Sequence, residues 1–182
     1  MPRIRRRSLD ALTCVALLLG ATAACGKERP VSQGSARQAD AVERLIEQLI
    51  ASPPVTQQAV EQTLGVPLRM TEENADWRQF EANAQLSSGI AKVDYRLPLS
   101  AEARSEGPLL VVEFGEDCPS LDAIRKRFGP LQIGELPSPH AENAVGYFDR
   151  TYPWGQVSFG YRFLTPQCLS SVAFNLTKPP RG

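Results

Sequence analysis

Thr56-Gln57-Gln58-Ala59-Val60-Glu61-Gln62-Thr63-Leu64-Gly65-Val66-Pro67-Leu68 returns in outline as Ser120-Leu121-Asp122-Ala123-Ile124-Arg125-Lys126-Arg127-Phe128-Gly129-Pro130-Leu131. Each stretch opens on a hydroxyl residue, carries Ala and then a β-branched residue, and closes on a large apolar residue, Gly and Pro-Leu. Thr56 and Ser120 suit the N-cap of a helix, where a side-chain oxygen accepts from the first free N–H groups. Val55 ahead of the first cap and Val60 inside the helix are placed for a hydrophobic staple. Gly65 and Gly129 stop the helices in a left-handed conformation, and the prolines prevent their resumption. Helices of about eight or nine residues do not persist alone and must dock on something.

Strand-like alternation follows each helix. Phe80, Ala82, Ala84 and Leu86 alternate with polar residues, as do Ala91, Val93, Tyr95, Leu97 and Leu99 after the Ser87-Ser88-Gly89 turn. Leu109 to Phe114 is a third, mostly apolar strand. In the second half Val157, Phe159, Tyr161 and Phe163 alternate with Ser158, Gly160 and Arg162, and Val172, Phe174 and Leu176 make another strand. Period-two alternation means antiparallel sheet with one dry and one wet face. The expectation is an α+β protein of two tandem α-β-β-β units, residues 52–116 and 117–177. One amphipathic helix, 39–51, precedes them with Val42, Leu45, Ile46, Leu49 and Ile50 on a single stripe. Asp40 caps it, Pro53-Pro54 ends it, and Glu43 and Glu47 lie on its polar face.

The run from the Thr56 cap through Val60, Leu64, Gly65 and Pro67 resembles the helix-to-strand junction of the outer-membrane assembly lipoprotein family SmpA/OmlA (BamE). A short helix feeding an antiparallel meander, twice, is similar to the β-lactamase inhibitory protein family. The resemblance implies a related α/β unit and a role in binding proteins rather than in catalysis.

Arg3, Arg5, Arg6 and Arg7 form a basic N-terminal region, and the mostly apolar run Ala11 to Ala24 ends on Thr22-Ala23-Ala24-Cys25. Fourteen helical residues rise only about 21 Å, short of a hydrocarbon core of about 30 Å. The stretch resembles a bacterial lipoprotein signal peptide, 1–24, cleaved ahead of a lipidated (palmitate-type) Cys25. The alternative is an ordinary secretory signal that leaves Cys25 as a free thiol. Gly26 in place of aspartate resembles the sorting pattern of outer-membrane lipoproteins facing the periplasm. Residues 25–38 are polar and read as a flexible tether, and 178–182 as a tail.

Loss of four arginines and one aspartate with the signal, from 20 basic and 20 acidic residues, leaves a net charge of −3. No basic patch suited to nucleic-acid phosphates remains. The oxidising envelope favours a disulfide between the remaining cysteines, Cys118 and Cys168, closing a loop of about 50 residues worth about 4 kcal/mol. A metal site needs more ligands than these and one histidine supply, and no cofactor motif is present.

His140, the single histidine, sits in a loop-like stretch, and Glu116-Asp117 reads as a charged turn, so an enzyme is the weakest of three roles. The others are an inhibitor or immunity-type module that binds an envelope protein, and an accessory of outer-membrane assembly. Tyr152-Pro153-Trp154-Gly155 is a tight turn between strands. Its Trp154 is either an exposed anchor for a partner, beside Tyr152, or folded back on the sheet. The wet sheet face carrying Lys92, Asp94, Arg96 and Arg162 is the other candidate surface, and Trp77 is assigned to the core.

Overall fold

A computed structural model describes residues 33–86, 89–115, 119–134, 136, 144–162 and 164–177. Cys25 and the signal, Ser87, Ser88, Glu116, Asp117, Cys118, His140, Phe163 and the tail lie outside them.

The first capped helix forms as its sequence dictates. In helix α2, Gln57–Leu64, the Thr56 hydroxyl accepts from the Ala59 N–H at 3.2 Å, and Gly65 takes φ 70° and ψ 22°. Val60 and Leu64 are buried, each contributing about 1.5–3 kcal/mol by leaving water. Val55 makes no staple, being 56% exposed; its carbonyl instead accepts from the Tyr95 hydroxyl at 3.2 Å.

The second helix, Leu121–Phe128, has the same length but different ends. The Ser120 hydroxyl accepts no cap hydrogen bond, its backbone is bridged to Cys168, and Gly129 adopts φ 80° with ψ −158° rather than the left-handed helical conformation. Leu121, Ile124 and Phe128 are buried. We number this helix α4; α1 is Gln33–Ala51 and α3 the short turn Ala103–Glu106.

Among the described residues eight strands form one antiparallel sheet: β1 Arg69–Glu73, β2 Trp77–Leu86, β3 Gly89–Pro98, β4 Leu109–Glu113, β5 Gln132–Ile133, β6 Val145–Tyr152, β7 Gly155–Arg162 and β8 Thr165–Asn175. Their spatial order is β1-β2-β3-β4-β8-β7-β6-β5, so β4 and β8 meet at the centre. The fold class α+β with antiparallel sheet is as expected. Four strands rather than three follow each helix, since the short edge strands β1 and β5 carry no alternating apolar pattern to mark them.

One face of the sheet carries the core. Phe80, Val93, Tyr95, Leu110, Val112, Val157, Phe159, Val172 and Phe174 are at most 5% exposed, and they join Val60, Ile124 and Phe128 from the helices. Burial pushes the Tyr95 hydroxyl up to about 12.

Helix α1 covers the same side, burying Val42, Ile46 and Leu49. It begins at Gln33, six residues ahead of the expected start, so the stretch expected as tether is shortened. Glu43 and Glu47 are not a free polar face. Arg127 of α4 donates to Glu47 at 2.7 and 2.8 Å and to the buried Glu43 at 2.8 Å.

Candidate functional site

The opposite face of the sheet is built by simple alternation. Every second residue of the strands points away from the core, and the registers line these residues up in rows. One row runs Gln79, Arg96, Leu109, Asn175, Gln156, Thr151; the next runs Glu81, Asp94, Val111, Ala173, Ser158, Asp149. A third runs Asn83, Lys92, Glu113, Ser171, Gly160, Tyr147.

Three of the four charged candidates come together here as neighbours on β3. Arg96 pairs with Asp94 at 2.8 Å, which holds the guanidinium firmly protonated, and Lys92 lies 3.6 Å from Glu81. Arg162 stands on the same side toward the far end of β7, lining a cleft of about 190 Å³ with Glu113, Tyr147 and Val111. Gly160 makes room for this cleft. A Cβ there would sit 3.2 Å from the Tyr147 ring and from the Val145 side chain, and against the Ser171 hydroxyl.

Between these charges runs a strip the sequence reading passed over. Leu109 and Val111 on β4, Ala173 on β8 and Tyr147 on β6 are half-buried on this face. The signal was present in Leu109-Leu110-Val111-Val112, a run apolar on both faces, a pattern of strands covered on both sides. Only the Leu110 and Val112 side meets the core.

Trp154 and Tyr152 do not join this surface. The turn forms at the hairpin tip, but the Trp154 ring stacks on Tyr152 at 5.2 Å and lies 6.5 Å from the core residue Phe174. Both are half-buried on the helix-covered side, and burial raises the Tyr152 hydroxyl above its ordinary value. Of the two readings of Trp154, the geometry is that of a ring folded back onto the sheet.

Trp77 moves the other way. It is half-buried but outside the core cluster, and lines a cleft of about 410 Å³ at the β2–β3–β4 end of the open face.

Cys168 is disulfide-bonded, and the Leu169 N–H donates to the Pro119 carbonyl at 2.9 Å, holding the start of β8 against the entry to α4. Cys118, the expected partner, lies outside the described residues, as do His140, Glu116 and Asp117. Among the described residues no cluster of His, Cys, Asp and Glu is arranged to hold a metal ion, and no helix is long and apolar enough to cross a membrane. Comparison with protein-family profiles, with curated proteins and with solved structures gives no match.

Proposed function

We propose that this chain is a lipid-anchored envelope protein that binds a protein partner, without catalysis, through the open face of its sheet. An inhibitor or immunity-type module is the role that fits best. The observation that carries the reading is β4: its Leu109 and Val111 side is apolar, central and not covered by any described helix. A strand apolar on both faces buries both when a second surface completes it. Flanking charges at Lys92, Asp94, Arg96 and Arg162 supply the polar rim that surrounds an apolar centre in protein interfaces.

The finer fold assignment belongs to the same proposal. We read α2 with β1–β4 and α4 with β5–β8 as tandem copies, on the strength of the matched helix sequences and the mirrored strand order about β4 and β8. The anchor is Cys25.

A photo-crosslinking residue at Val111, in cells, tests the binding surface. The expected result is a discrete adduct with an envelope protein, lost with Lys92→Glu and not formed from the exposed Val55 position on the helix side. Equal labelling from both positions, or none from Val111, would reject the reading. The adduct also separates inhibition from assembly, since a barrel-assembly component at this site would favour the accessory role.

A further inference from the structure

The Trp77 cleft has the construction of a ligand site rather than of a gap between strands. Its tryptophan is pinned from behind. The Asn74 side-chain carbonyl accepts from the Asp76 and Trp77 N–H groups at 2.9 and 2.8 Å, and the Asn74 N–H donates to the Trp77 carbonyl at 2.9 Å.

On the edge strand β1, the register shifts between Met70 and Glu72. Without that bulge Glu72 would share the side of Met70, which faces Phe80; with it, Glu72 stands opposite Gln79 and lines the cleft. A bulge is the usual device for re-aiming one side chain. The far wall is brought close at Gly107, whose φ of 80° and missing Cβ let the chain run against the Leu176 backbone and set Glu106 beside the opening.

The lining decides the ligand class by chemistry. A volume of about 410 Å³ falls within the range of about 300–1,000 Å³ used for small molecules. An apolar ligand is poorly served, because only Trp77 and Leu109 among the lining side chains are apolar. An anion meets Glu72 and Glu106, while Arg96, the one cation, is already paired with Asp94 at 2.8 Å. What remains is a molecule with a flat C–H face for the indole and hydroxyls for amides and carboxylates.

We propose that the Trp77 cleft binds a pyranose saccharide, neutral or amino-substituted, stacked on the indole and hydrogen-bonded by Gln79, Asn175, Glu72 and Glu106. This site adjoins the protein-binding strip and shares Leu109 and Arg96 with it, but it rests on Trp77 and not on that reading.

Titration calorimetry of the purified full-length chain tests it, with short oligomers of N-acetylglucosamine, glucosamine and glucose as probes and a glucuronate oligomer as the anionic control. Saturable binding is expected for at least one of the first three, with a Kd of about 1 mM or tighter. Preference for the amino-sugar oligomers points to a wall glycan as the natural source, and preference for glucose oligomers to a glucan. Trp77→Leu should weaken binding at least about tenfold at unchanged melting temperature, and Trp77→Phe, which keeps an aromatic face, less. If Trp77→Leu does not fold, Glu72→Gln reports in its place, with several-fold weaker binding of the amino sugars or of the neutral sugar's hydroxyls. Absence of saturable heat with all three probes, glucuronate binding as tightly as the best of them, or both variants binding like the wild type would overturn the proposal. Val111 does not line the cleft, so crosslinking from it reports on the protein-binding reading and the sugar titrations on this one.

Discussion

A tryptophan at a hairpin tip has two destinations, and Trp154 takes the inward one because Tyr152 and Phe174 offer it parallel aromatic faces. Truncation removes a half-buried ring and its stacking. Trp154→Ala should therefore cost about 2 kcal/mol of stability, read as a lower denaturation midpoint at unchanged slope. A substitution on the opposite face should act differently. Gly160→Ala places a methyl group against the Tyr147 ring and the Ser171 hydroxyl, an overpacking worth about 1–3 kcal/mol. Its diagnostic is displaced Tyr147 ring resonances together with weaker crosslinking from Val111. Neither residue's role was legible in sequence. The turn at residues 152–155 was plain, but which side of the sheet its ring reaches depends on the register of β6 against β7. For Gly160, the neighbour that needs the space, Ser171, comes from a different strand.

Helix α1 illustrates a pairing between distant elements. Its apolar stripe is evident in the sequence, and burial of Val42, Ile46 and Leu49 follows from it. Its acidic residues read equally well as a solvated face until α4 brings Arg127 to them. The Arg127 hydrogen bonds hold the Glu47 carboxyl below its ordinary range, with burial opposing and the charges of Arg127 and Arg44 assisting. A depressed folded-state pKa stabilises the fold above the ordinary carboxylate value, and that contribution is lost as pH falls through the depressed value. Melting curves of wild type and Glu47→Gln should thus differ at neutral pH and converge in acid. Arg127→Ala should destabilise more than Glu47→Gln, because it leaves Glu43 buried without its counter-charge. A difference between wild type and Glu47→Gln that persists unchanged into acid would contradict the clamp.

The assembled domain ties its second half together through the bridge of Ser120 to Cys168 and the disulfide at Cys168. Non-reducing peptide mapping should identify Cys118 as the other thiol, and Cys168→Ser should lower stability by about 2–5 kcal/mol. Mapping that joins Cys168 to any other cysteine would remove that expectation. Cys25→Ser should release the protein from membrane fractions and abolish labelling by a fatty-acid analogue. Retention of the variant in the membrane would show that another element anchors it.

Local chemistry was determined by the sequence alone: the Thr56 cap and Gly65 stop, the stripe of α1 and the strand alternation of Phe80 to Leu97 are all written within a few neighbouring residues. The first helix's ends and the period-two alternation depend on backbone geometry over one or two turns, and here packing left them as written. Tertiary structure decided what those elements do to each other. It bridged the Ser120 backbone to Cys168, paired Arg127 with Glu43 and Glu47, and set Trp154 on the core side of the sheet and Trp77 on the open side. It also left one apolar side of β4 without any described helix above it. Each of these depends on which segment lies across the sheet from which. That is set by strand order and register between residues far apart in the chain, quantities that no local pattern encodes.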